Sequence, residues 1–187
     1  MSDGWIVTLE PWEYEHGFNV GIRRFTANWS RPDAPHYRRE LMEEDRKAQA
    51  AAALCELAVA KYLNQYWHAS IWHCSEQQKY RKMPDVGENI EVRRVRTQGG
   101  VTVRLGDAGK VIWGARCADS EYRTIELLGC VAADAALRLC RGTHILVPMG
   151  NLTKPWKNLS PESTGFSGKS ASAGGRTDLT LASTKGR

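Results

Sequence analysis

The chain has 187 residues, of which 42% are hydrophobic and 25% charged, and a formal charge of +5. That is enough for one domain with a hydrophobic core, and no apolar run approaches the ~20 residues of a membrane span. Residues 157–187 hold five Lys/Arg against two acids, so residues 1–156 carry only +2; affinity for a polyanion would have to come from a local patch rather than from a polycationic body.

The first 21 residues lack a basic start followed by an apolar stretch, so no signal peptide is expected and the protein should stay in the cytoplasm. The five cysteines, Cys55, Cys74, Cys117, Cys130 and Cys140, form no C-x-x-C pair. An odd count without that pair points to reduced, mostly buried thiols rather than disulfides or a structural zinc site.

In chain order, residues 5–9 read as a short strand, and Pro11 suits the first turn of a helix. Phe18, Ile22, Phe25 and Trp29 follow at spacings of one helical face, interrupted by Gly17 and Gly21. Residues 37–63 hold no Gly or Pro and are rich in helix formers, which predicts a long helix. Its charged first half should face water and its apolar second half should be buried. Residues 70–73 are a weak strand candidate. Residues 90–96 and 101–105 alternate around Gln98-Gly99-Gly100, which predicts a hairpin. Residues 111–117 are nearly all apolar, as in a central strand. A strand at 122–131, a short helix at 132–140 and a strand at 144–147 complete a mixed α/β or α+β domain in which three strands meander. Residues 157–187, rich in Ser, Thr and Gly, read as a disordered basic tail.

Chemistry concentrates in Pro84-Asp85-Val86-Gly87-Glu88-Asn89-Ile90-Glu91-Val92-Arg93. On a strand Glu91 and Arg93 share one face. The Gly87 bend can fold Asp85 back toward Glu91, so that two carboxylates, a cation and the Val92 carbonyl converge. Such hard oxygen donors suit Mg²⁺ or Mn²⁺ beside a phosphodiester. Glu56 joins as a third acid: its helical neighbours Ala52, Ala53, Val59 and Ala60 are apolar. An ionised glutamate there requires a metal, a metal-bound water or an arginine as partner. From Lys79 to Arg96 six Lys/Arg stand against three acids, and Lys79, Arg81, Lys82, Arg94 and Arg96 are candidate phosphate contacts. Trp12, Trp29 and Trp113 lie on apolar patterns and are expected in the core, leaving Trp67 and Trp72 for the surface. His68, His73 and Cys74 lack a fourth partner for a transition-metal site.

This order of a helix glutamate, an Asp85 bend and Glu91-Val92-Arg93 resembles the PD-(D/E)XK nuclease superfamily, with an Asp-to-Glu spacing similar to its MutH-like branch. It is closer still to a group of phage and bacterial proteins of that superfamily. These share a helix like residues 56–63, a late segment like residues 128–136 and an ending like Leu146-Val147-Pro148. The resemblance covers about residues 45–156 and implies a restriction-endonuclease-like αβββαβ core, with residues 1–44 as an N-terminal strand and helix extension. It implies a Mg²⁺- or Mn²⁺-dependent DNA endonuclease of a bacterial or phage-infected cell. Asp85 and Glu91 would be metal ligands and Glu56 would hold the metal or its water; many nucleases of this type form a homodimer to cut both strands, but the sequence carries no interface signature and leaves the oligomeric state open. Arg93 stands where the superfamily usually has lysine. Arginine stays protonated and cannot act as a base, but as an electrostatic stabiliser it can position water or neutralise the phosphate, and Lys79, Lys82 or Lys110 could supply an amine from another element. If the mechanism strictly needs a lysine at that place, the alternative is an inactive nuclease-fold protein that binds DNA or another protein.

Overall fold

A computed structural model describes residues 5–29, 42–76, 82–96 and 99–154. The fold is mixed α+β. Strand β1 (Trp5–Thr8) leads into helix α1 (Pro11–Trp29), and helix α2 spans Met42–Leu63. Strands β2 (Ile90–Arg94), β3 (Val101–Arg104), β4 (Val111–Cys117) and β5 (Thr124–Ala132) follow, then the short helix α3 (Ala133–Leu137) and strand β6 (His144–Val147). Among the described residues no helix is long and apolar enough to cross a membrane. The expected helix start at 37–41 and the expected disordered tail lie outside the described residues.

The four-stranded sheet runs β1-β5-β4-β2, with β4 central as its apolar sequence predicts. The expected β2–β3 hairpin does not form. Strand β2 pairs with β4 in parallel, Ile90 opposite Val111 and Arg93 opposite Gly114, whereas β3 leaves the sheet to pair antiparallel with β6. Alternation specifies which side of a strand is apolar but not which strand pairs with it. The apolar side of β3, Val101 and Val103, is buried in a second core with Ile112, Ala133, Ala136, Val147 and Leu152. The weak strand at 70–73 is irregular chain.

Helix α2 lies in the main core, and α1 packs on it. The buried stripe of α1 is Glu13, Gly17, Val20, Gly21, Arg24 and Phe25, about one residue out of step with the expected Phe18, Ile22, Phe25 line. The glycines set this rotation. A Cβ on Gly21 would stand 2.3 Å from the Ala50 Cα and 2.5 Å from the Gln49 carbonyl oxygen, so the two backbones nearly touch. The first half of α2 is less wet than expected, since Asp45 is buried and the Arg46 guanidinium lies over the Phe25 ring.

Two tryptophan expectations are corrected. Trp12 is 68% exposed, because α1 turns it away from α2, and Trp67 is buried, whereas Trp113 is in the core as expected. The thiols are less buried than expected: Cys55 is enclosed, but Cys117, Cys130 and Cys140 are only partly covered, all four being free.

Gly21→Ala should cost about 1–3 kcal/mol or more, because the clash is with backbone. Gly17→Ala, whose Cβ meets the movable end of Leu54 at 2.8 Å, should cost less. Urea unfolding of the two variants checks the order.

Candidate functional site

Glu56 projects from α2 into a closed, apolar setting, with its side chain 8% exposed. Its partner is Arg24 of α1, the arginine among the three partners the sequence allowed. Arg24 Nη1 donates to Glu56 Oε1 at 2.6 Å and Nη2 to Oε2 at 2.8 Å, a two-pronged match of fork to carboxylate. Arg24 Nε donates to the Ser70 carbonyl at 2.8 Å, and the guanidinium lies 5.9 Å from the Trp72 ring centre. Trp67 Nε1 adds a third hydrogen bond to Glu56, at 3.0 Å. Burial works against the Arg24 charge, but Glu56 outweighs it and raises the guanidinium's affinity for its proton.

Asp85 sits on the bend the sequence predicts. The Asp85 and Val86 amides both donate to the Ile90 carbonyl, at 2.9 and 3.1 Å. Gly87 holds a left-handed φ of 54°, and a Cβ there would also strike the Gln65 side chain. The bend folds the Asp85 side chain back onto β2, where Oδ2 accepts the Val92 amide at 2.8 Å. Burial, then the fields of Glu56 and Glu91, push the Asp85 carboxyl well above its ordinary 3.8; the Val92 amide and Arg24 only partly oppose this.

Glu91 and Arg93 share one face of β2 and pair with each other. Lys110, at the start of β4, donates to Glu91 Oε2 at 2.7 Å. Arg93 Nη2 forks onto Asp107 at 2.9 and 3.0 Å, and Asp107 also accepts the Arg104 amide. Arg93 Nε is buried without an acceptor. Four acids (Glu56, Asp85, Glu91, Asp107) and three cations (Arg24, Arg93, Lys110) thus form one electrostatically connected group.

The candidate phosphate contacts separate. Lys82 and Arg96 are exposed, and Arg94 turns inward toward the Ala48 carbonyl of α2. Lys79 and Arg81 lie outside the described residues. His68 Nε2 lies 2.7 Å from the Gly87 carbonyl and His73 Nδ1 2.9 Å from the Ser75 hydroxyl, so neither ring is grouped for metal binding.

As hard oxygen donors, Asp85 and Glu91 fit a divalent ion in chemical type. Glu56 fits poorly, because both of its oxygens are already taken by Arg24 and Trp67. Among the described residues no three His, Cys, Asp or Glu side chains stand together as a metal-holding set. Compared with protein-family models, curated proteins and solved structures, the chain matches none.

Sequence reasoning missed Arg24, Asp107 and the inward role of Trp67. Arg24 had a signal. It shares a helical stripe with Gly17, Val20 and Gly21, so a lone arginine on a small-residue face could have been matched to a lone glutamate on an apolar one.

Two outcomes follow. Arg24→Met leaves Glu56 buried without its counter-charge and should cost about 3–5 kcal/mol in denaturant unfolding. For Asp85, the folded state holds the proton more tightly than the unfolded chain, so stability falls as pH rises from 3.8 through the raised folded value. Asp85→Asn, which keeps an oxygen for the Val92 amide, should therefore melt several degrees higher than the parent at pH 8 in EDTA. The gap should close as the pH approaches 4.

Proposed function

We propose that this chain is a Mg²⁺- or Mn²⁺-dependent hydrolase of DNA phosphodiesters built on a restriction-endonuclease-like core. The observation that carries the reading is the crowding of acids at Asp85. Burial and the fields of Glu56 and Glu91 raise the proton affinity of the carboxyl that the bend returns to β2, and perturbed carboxyls concentrate at functional sites. Asp85 and Glu91 would be the ligands. When bound, the ion supplies charge neutralisation and an acidified water.

The chain's own residues divide the remaining work. Lys110 supplies the amine that Arg93 cannot, 2.7 Å from Glu91. The Arg93 charge is fixed. Arg93 is clamped between Glu91 and Asp107, and its unpartnered Nε–H is a donor that a phosphate oxygen would satisfy. Glu56 acts through position: held by Trp67 and Arg24, it adds to the field on the Asp85 carboxyl.

One observation favours a second reading, a nuclease-like protein that binds DNA or a protein without cutting. Both oxygens of Glu91 and both of Glu56 are already occupied by cationic or N–H donors.

A supercoiled-plasmid assay with Mg²⁺ or Mn²⁺ separates the two. Hydrolysis should fall at least about a hundredfold in Asp85→Ala, Glu91→Gln and Lys110→Met. Arg93→Lys should retain more activity than Lys110→Met. A parent protein that shifts DNA on a gel but leaves it intact in either metal would replace the first reading with the second.

A further inference from the structure

We infer that Tyr66 is a stacking platform for an unpaired base, so that the strand taken by the proposed site is single-stranded DNA rather than intact duplex. The inference rests on the hydrolase reading for the role of the neighbouring site, but not for the binding itself.

Residues 64–69 form an irregular strap fastened directly to the Asp85 bend. The Gly87 amide donates to the Tyr66 carbonyl at 2.8 Å, and the His68 amide donates to the Asp85 carbonyl at 3.1 Å. Between them Trp67 bridges to Val86 and points inward to Glu56. Alternation along the strap therefore sends Tyr66 outward, where it is 72% exposed, among the most exposed large apolar side chains described. It is not loose. Its ring meets the His68 ring edge-on, with centres 5.1 Å apart at 87°, and His68 Nε2 is tied to the Gly87 carbonyl. Asn64, φ 51°, is the left-handed residue that ordinarily closes a helix, here α2, whereas Ala69 at the other end of the strap holds φ 50° without being glycine. Such strain persists where the surroundings impose it and gathers at working sites.

A large exposed aromatic ring, braced at its edge by His68 and carried on a strap bonded to the Asp85 bend, is placed to meet a ligand of the neighbouring site. Its neighbourhood suits a nucleotide. Ile71, a few residues on, is also an exposed apolar side chain, and Lys82, just before the Asp85 bend, is an exposed cation. Bases stack on such rings irrespective of sequence, while cations follow the phosphates. In duplex DNA the base faces are already stacked on each other, so only an unpaired or frayed strand can use the ring.

The test is fluorescence anisotropy with a labelled oligothymidylate and a labelled hairpin duplex, in EDTA so that cutting does not intervene. The single strand should bind more tightly than the duplex. Tyr66→Ala should weaken single-strand binding roughly tenfold, Tyr66→Phe by less than about twofold, and neither should alter duplex binding. Equal losses on both probes, an unchanged Tyr66→Ala, or no single-strand binding by the parent would overturn the inference. The plasmid assay on the same preparations separates the two readings. Tyr66-dependent binding without cleavage overturns the hydrolase and keeps the platform, and cleavage with Tyr66-independent binding does the reverse.

Discussion

A glutamate on the apolar side of a buried helix has to be neutralised where it stands, and in this fold that requirement organises the rest. Glu56 cannot reach solvent, and a lone carboxylate there would be untenable. Its counter-charge comes from Arg24, which reaches it only because α1 lies against α2 at backbone contact distance. Gly17 and Gly21 permit that approach. The N-terminal segment is therefore part of the core and not an appendage, since without it α2 would hold a buried, uncompensated charge. The same carboxylate draws the Trp67 indole inward, and Trp67 in turn anchors the strap that braces the Asp85 bend.

The electrostatic consequence falls on Asp85. Arg24 is spent on Glu56, Arg93 is shared by Glu91 and Asp107, and Lys110 is on Glu91. The fourth acid has no side-chain cation of its own, only a backbone amide. With burial acting in the same direction, a proton is the cheapest counter-charge available to it. In formal charge the three cations match three of the four acids, and an ionised Asp85 is the unmatched one. Stability and the capacity to attract a cation are opposed at this one residue.

The parts of this arrangement set by local chemistry were legible in the sequence. They include the long helix, the apolar central strand, the Gly87 bend that returns Asp85 to β2, and the shared face of Glu91 and Arg93. The need of Glu56 for a partner was legible too, with arginine among the possibilities. What was hidden depends on which surfaces meet. Alternation in 90–96 and 101–105 is the same whether the strands form a hairpin or part company, and only the second core around Val101 and Val103 decides it. Trp12 and Trp67 exchange roles because the rotation of α1 is governed by its glycines and the strap by Glu56. Hydrophobicity at either tryptophan could not report that.

The missing hairpin and the arginine where the resemblance expects a lysine are linked through one strand register. Strand β4 runs parallel to β2, so its beginning lies beside the beginning of β2, with Val111 opposite Ile90. Lys110, the residue before that register starts, is thereby carried to Glu91. Antiparallel pairing would have set the start of β4 against the far end of β2 and left the amine remote. On the proposed hydrolase reading, a lysine delivered across the sheet would relieve the position two residues after Glu91 of supplying one. It is free to be an arginine whose fork ties Glu91 to Asp107 and stiffens the edge on which the acids sit.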